Sequence, residues 1–147
     1  VVCCGVENQE NLGGIIRIAT GFGATAVLTG AGCSDPFCRR ALRVSMGNAL
    51  RVPIIEAGTD LANLLATLQN QHGVELVATA LDEPAERLRD FQVSPDRVAL
   101  LLGNEDSGLT SEWLEMRDRR VTIPMHAGTD SLNVAVAAGI FLHHFAG

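Results

Sequence analysis

No apolar run in this chain reaches the roughly 18 residues that would mark a membrane span. The longest such stretch, near the C-terminus, is interrupted by Ser131, Asn133, His143 and His144. No basic segment precedes the first apolar residues, so nothing resembles a signal peptide. Cysteine is sparse. Cys3, Cys4, Cys33 and Cys38 form no C-x-x-C pair, which excludes a zinc site of that pattern. Cys3 and Cys4 are adjacent, so on a strand they point to opposite faces and cannot act together. They read as buried reduced thiols. Positive charge is also in short supply: 11 Lys and Arg stand against 17 Asp and Glu, for a net charge of -6. That balance excludes a free-standing, strongly basic nucleic-acid binder. It leaves room for RNA as substrate, because a local patch can supply phosphate contacts. Arg39, Arg40, Arg43 and Arg51 form the densest basic group, and Arg117, Arg119 and Arg120 the second. By itself, each group reads as a solvated face.

Several motifs are missing. Gly21-Phe22-Gly23 is a lone G-x-G that follows a helical pattern instead of a strand, and no G-x-x-x-x-G-K-[S/T] loop occurs. His72, His126, His143 and His144 have no metal-ligand spacing with acidic residues. His126 lies nearest a functional position, in the loop Pro124–Asp130. There is no Ser-His-Asp elbow and no paired-carboxylate pattern. Repeats, linkers and low-complexity segments are absent too.

What is present is a generous core. The 147 residues are 47% hydrophobic, and the mean hydropathy is +0.21. This fits one domain with apolar surface to spare for a subunit interface. The chain opens on Val1, and Val-Val-Cys-Cys-Gly-Val reads as a strand entered in mid-course. We therefore expect residues 1–147 to be a catalytic domain whose N-terminal RNA-binding domain lies outside this sequence.

Strands and helices alternate along the chain. Val1–Val6 is an apolar strand. Leu12, Ile15, Ile16 and Ala19 recur at i, i+3, i+4 and i+7, which predicts a helix with Asn11 as its cap. Gly21 and Gly23 end it. Ala24–Leu28 and Val52–Glu56 are strands, and Asp35–Arg43 is a helix with Pro36 in its first turn. Asp60 caps a helix Leu61–Gln71 that Gly73 stops. Val74–Ala80 is a buried strand and Pro84–Leu88 a short helix. Val98–Leu102 is an apolar strand that runs into Gly103-Asn104-Glu105. Thr110–Met116 is helical, Arg120–Ile123 the last strand, and Ser131–Phe145 the final, almost wholly apolar helix, buried on all sides. About six strands with helices between them predict an α/β fold, with a mostly parallel sheet covered on both faces.

In such a sheet, ligands bind beyond the carboxyl ends of the strands. Gly103–Gly108, Pro124–Asp130 and Thr79-Ala80-Leu81 all leave strand ends. Converging backbone groups there can hold a flat purine. Arg17 lies five positions after Leu12, about 140° around the helix, so it is off the apolar stripe. Taken singly, Arg17, Asn11 and Glu105 read as an exposed cation, a cap and a loop acid.

Three segments in order change that reading. The first is Asn11-Leu12-Gly13 with Arg17, Ala19, Phe22 and Gly23. The second is Leu102-Gly103-Asn104-Glu105, ending in Gly108-Leu109. The third is Ile123-Pro124-Met125 followed by Ser131-Leu132-Asn133-Val134. Together they resemble the SpoU (TrmH-like) class of SPOUT RNA methyltransferases, and Ser45-Met46-Gly47 resembles a smaller element of that class. The resemblance spans nearly the whole chain. It implies a C-terminal deep trefoil knot that forms a pocket for S-adenosyl-L-methionine. Gly103, Ile123 and Leu132 would contact that cofactor, mostly through backbone groups. Thr79, Ala80, Leu102, Asn104, Pro124 and Ser131 would line the same pocket.

The implied reaction is methyl transfer to a ribose 2′-hydroxyl of tRNA or rRNA, in the cytoplasm, without a metal or a membrane. The implied assembly is a homodimer whose active sites use both subunits. Arginine is a poor base at neutral pH, so we assign Arg17 to the target phosphate and to electrostatic stabilisation of the alkoxide. Asn11, Glu105, Ser131 and Asn133 would position Arg17, the ribose and the cofactor. Two departures bear on specificity: Asn8-Gln9 stands where many members have Asp-Pro, and Asp106 where many have Gly. The rival readings are a knotted enzyme acting on a base nitrogen, an inactive RNA-binding and dimerisation module, and a generic nucleotide-binding α/β protein. Arg17 and Asn133 favour the ribose reading over the first rival. Retention of Arg17, Glu105, Ser131 and Asn133 together speaks against the second. The missing phosphate loops weaken the third.

Overall fold

The computed structural model describes residues 1–147 apart from 82–83, 94–96 and 127–130. Its strands are β1 (Val2–Cys3), β2 (Val27–Gly30), β3 (Ile54–Gly58), β4 (Glu75–Thr79), β5 (Glu86–Arg87), β6 (Val98–Leu102) and β7 (Arg119–Thr122). They form one sheet in the order β3-β2-β1-β6-β4-β7-β5. Every pairing in it is parallel. The α-helices are α1 (Gln9–Gly21), α2 (Arg39–Val44), α3 (Leu61–His72), α4 (Ser111–Met116) and α5 (Val134–Phe145).

The expected sheet with two covered faces is therefore present, and side-chain alternation builds it. Along β6, Leu100 and Leu102 enter one core with α1 and α5, while Ala99 and Leu101 enter the other with α3 and α4. Cys3 and Cys4 divide the same way. Burial pushes the Cys3 thiol up to about 12 and the Cys4 thiol up as well, so both stay protonated and inert. Leu12, Ile15 and Ile16 are fully buried on the predicted stripe of α1, each contributing about 1.5–3 kcal/mol.

Local boundaries differ from the sequence reading in instructive ways. Asn8, not Asn11, caps α1: its Oδ1 accepts from Glu10 N at 2.8 Å and Asn11 N at 3.1 Å. Asn11 is left with its side chain available for other partners. The helix expected from Asp35 begins only at Arg39, because Asp35 Oδ1 accepts from Phe37 N at 2.8 Å and folds Pro36 into a turn. The expected helix Pro84–Leu88 is instead the edge strand β5 followed by a 3₁₀ turn, Leu88–Asp90. Pairing of Glu86 and Arg87 with Val121 and Thr122 overrides local preference there. The final helix starts at Val134, with Asn133 as its cap, so Ser131 precedes it. It is not buried on all sides: Val136 is 52% and Ile140 40% exposed. The expected C-terminal knot depends on the chain path through 127–130, which lies outside the described residues.

α1 approaches its neighbours closely because of two glycines. A Cβ at Gly13 would lie 2.9 Å from Ala41 O and from Val44 Cβ on α2. One at Gly14 would lie 3.1 Å from Ala135 Cβ on α5.

Candidate active site

The carboxyl ends of β6, β4 and β7 are adjacent in the sheet, and a pocket of about 380 Å³ opens above them. Volumes of this order suit a cofactor-sized ligand. Of the residues that the resemblance assigns to a cofactor, Thr79, Ala80, Leu102, Gly103, Asn104, Ile123, Ser131 and Leu132 line this pocket. Pro124 does not, and its neighbour Met125 does.

Much of the polar chemistry of the lining is already committed to building the loop. Thr79 Oγ1 donates to Leu101 O at 2.9 Å. Asn104 Nδ2 donates to Gly5 O at 2.8 Å, and its Oδ1 accepts from Asp106 N at 2.9 Å and Ser107 N at 3.1 Å. Asn104 and Gly108 close the loop with paired backbone bonds of 3.0 Å each. Gly103 faces this closure. A Cβ there would lie 2.3 Å from Gly108 C and 2.4 Å from Leu109 N. A side chain at Gly103 would therefore break the loop itself, beyond any effect on a ligand. What remains for a ligand is backbone N–H and C=O, apolar side chains, the polar side chains of Ser131 and Arg120, and the carboxylates of Glu105 and Asp106.

Glu105 is the junction of the three sequence segments. Its Oε1 accepts from Asn8 N and Asn11 Nδ2, both at 3.1 Å, and its Oε2 from Glu7 N at 3.4 Å. Asn11 Oδ1 in turn accepts from Asn133 Nδ2 at 2.8 Å. Asn133 also holds the start of α5 through Ala135 N at 2.9 Å. Partial burial raises the Glu105 carboxyl, but the hydrogen bonds it accepts from its own backbone, Asn11, Asn8 and Glu7 outweigh that and hold it below the usual carboxylate value. It is an anion at neutral pH, fixed by donors from the first segment.

Arg17 is placed elsewhere. It is exposed on α1 and lines a separate groove with α2, not the pocket. The expected catalytic set thus divides. Glu105 and Ser131 line the pocket, Asn11 donates to Glu105 and accepts from Asn133, and Arg17 stands apart.

The sequence model of the SpoU rRNA Methylase family matches residues 1–143. The chain belongs to this family. The family domain fills the chain, so it is not confined to a C-terminal part of it. An uncharacterized tRNA/rRNA methyltransferase of Mycobacterium tuberculosis is 49% identical over 138 residues, covering 92% of this chain and 47% of that protein. The 23S rRNA (guanosine(2553)-2′-O)-methyltransferase RlmP of Bacillus subtilis is 34% identical over 144 residues, covering 97% of this chain and 55% of its own length. An AdoMet-bound rRNA methyltransferase from Sinorhizobium meliloti superposes with a TM-score of 0.89 at 34% identity, covering 97% of this chain and 53% of that one. The chain spans about half the length of these relatives.

Several lining residues of this pocket escaped the sequence reading: Leu109, Leu114, Arg120, Ala137 and Phe141. Ala137 and Phe141 lie three and seven positions after Val134, a helical stripe that periodicity could have shown. Leu114 and Arg120 come from other elements, and nothing local marks them. Among the described residues no group of three His, Cys, Asp or Glu could hold a metal ion, and no helix is long and apolar enough to cross a membrane.

Proposed function

We propose that this chain is the S-adenosylmethionine-dependent catalytic domain of an enzyme that methylates a ribose 2′-hydroxyl in tRNA or rRNA, in the cytoplasm. The observation that carries this is the chain Glu105–Asn11–Asn133, which links all three family segments at the rim of the strand-end pocket.

The residues present fit the cofactor. Leu102, Gly103, Ile123 and Leu132 offer apolar walls and main-chain groups that suit a purine, and Glu105 and Asp106 give the rim a negative charge that suits a sulfonium. The bound cofactor supplies an electrophilic methyl group, so the protein's task is alignment and control of the hydroxyl proton. Glu105 holds Asn8 and Asn11, Asn11 orients Asn133, and Ser131 presents a hydroxyl to the pocket. In this reading Arg17 binds the target phosphate and stabilises the developing alkoxide.

Because Arg17 does not line the pocket of its own chain, we also propose a homodimer in which Arg17 of a second copy completes the site. Val136 and Ile140 on α5 and Phe22 after α1 support this, since they leave apolar surface uncovered beside α1. The C-terminal knot and an N-terminal RNA-binding domain outside this sequence belong to the same proposal.

The test uses total RNA and cofactor with a tritiated methyl group. Ribose 2′-O-methylation blocks alkaline cleavage at that nucleotide, because the attacking hydroxyl is gone. Label recovered in alkali-resistant dinucleotides supports the reading. Label recovered only in mononucleotides would assign methylation to a base and overturn it.

A further inference from the structure

The groove between α1 and α2 is not part of the cofactor pocket. It has a volume of about 810 Å³ and is lined by Arg17, Arg39, Arg40 and Arg43, with Glu10 as its acidic member and Met46 at its edge. Arg40 is ion-paired to Glu10. Arg17, Arg39 and Arg43 have no acidic partner among the described residues. Three unpaired guanidinium groups thus face one concavity on a chain of net charge -6. All three are exposed, so their positive field reaches solvent. On an acidic protein such a concentration repels little else of its own sign and selects a polyanion locally.

Met46 adds a second, independent feature. α2 ends at Val44, Ser45 is its cap, and the next residue takes a left-handed conformation, with φ of 54°. Among the described residues Met46 is the sole non-glycine with positive φ. Its side chain is 69% exposed. The turn is held from beneath. Buried Ser45 donates through Oγ to Leu42 O at 3.1 Å, and Gly47 N donates to Leu42 O at 2.9 Å. A position that favours glycine therefore carries a large apolar side chain, lifted into water beside the arginines. Such outliers concentrate at binding sites, where the strain is offset by what the side chain does.

We infer that the α1–α2 groove grips the sugar-phosphate backbone of single-stranded RNA, with Arg17, Arg39 and Arg43 on phosphates and Met46 as an apolar platform for one unstacked base. The guanidinium fork matches phosphate geometry. A polarizable thioether packs favourably against an aromatic ring. An unstacked base implies a single strand or loop, since duplex RNA hides its base faces. The inference rests on the RNA-methylation reading and adds where the RNA lies. Arg17 joins the two: it lines this groove, and in that reading it also acts at the target phosphate.

The probe is a fluorescent 12-nucleotide uridine oligomer, followed by anisotropy between 50 and 200 mM KCl. Three phosphate contacts on a single strand predict an affinity that falls about 20-fold over that range. For Arg39→Gln/Arg43→Gln the fall should be about threefold, with weaker binding at 50 mM. Met46→Gly should weaken binding about two- to tenfold while keeping the melting temperature at or above that of the wild type. Arg87→Gln/Arg89→Gln removes the same charge from another exposed region and should change little.

The inference is overturned if the groove variants bind with wild-type affinity and salt dependence. It is equally overturned if the control pair loses as much, if a uridine–adenosine duplex of the same length binds more tightly, or if no binding occurs at 50 mM. Calorimetry with S-adenosylmethionine and the tritium assay separate this from failure of the methylation reading. Groove-dependent oligomer binding without methyl transfer would sink that reading alone. Intact 2′-O-methylation with groove variants that bind normally would sink this inference alone.

Discussion

At Glu105 one carboxylate accepts from two backbone N–H groups and one amide, across nearly a hundred residues of sequence. Hydrogen bonds to a charged acceptor contribute about 1.5–3 kcal/mol, less here because the site is open to solvent. Glu105→Gln removes the charge and turns an NH₂ toward one of these donors. It should lower stability in urea by about 1–2 kcal/mol at pH 7. The sign with pH follows from the depressed carboxyl. Its contribution is present above the ordinary glutamate value and is lost as pH falls through the lower, folded-state value. Wild type and Glu105→Gln should therefore converge in stability as pH drops below about 4. A difference that persists unchanged at pH 2.5 would remove the charge from the explanation. Gly103 makes a second prediction at this scale. The 2.3 Å approach to Gly108 C leaves no room for a methyl group. Gly103→Ala should cost about 3 kcal/mol or more, the upper range for overpacking. It should also weaken S-adenosylmethionine binding, as calorimetry would show.

Helix α1 shows how a sequence pattern and a contact can pull in opposite directions. Glycine inside a helix normally costs about 1 kcal/mol relative to alanine. At Gly13 the helix propensity gained by alanine is opposed by a Cβ 2.9 Å from both Ala41 O and Val44 Cβ. At Gly21, the last residue of the same helix, nothing lies within 4 Å of a Cβ. Gly13→Ala should therefore destabilise by about 1–3 kcal/mol, while Gly21→Ala is neutral or stabilising by up to about 1 kcal/mol. Equal effects in urea denaturation would show that the α1–α2 approach is not constrained by Gly13. Strand β5 is the opposite lesson. Glu86 and Arg87 are too short a segment to carry a period. They become a strand only through β7, where Arg119 pairs with Glu86 at 2.8 Å and lies 3.8 Å over the Phe91 ring.

For the whole molecule the decisive question is whether one chain suffices. The pocket and Arg17 occupy different surfaces, and α5 leaves Val136 and Ile140 exposed. Light scattering should give twice 15.6 kDa. Val136→Glu/Ile140→Glu should give a monomer with unchanged far-UV circular dichroism and no methyl transfer. Full transfer by a monomer would remove the second copy from the site.

Periodicity and apolar runs determined the alternation of elements. The run Val98–Leu102 has the observed limits of β6, and the stripe Leu12, Ile15, Ile16, Ala19 is the buried face of α1. Both depend on burial alone, and burial is written in residue type. Most of the lining of the strand-end pocket was legible because the segments resemble a family and because parallel strands open their carboxyl ends to ligands, with Pro124 as the exception. Three things were decided only by tertiary structure. Asn8 displaced Asn11 as the cap, because two asparagines three positions apart can both cap and only contact with Glu105 selects between them. Strand β5 formed where a short helix was expected, because its hydrogen-bond partners lie more than thirty residues away. Arg17 fell outside the pocket, because a helix face read from sequence tells which residues are exposed and not what they are exposed to.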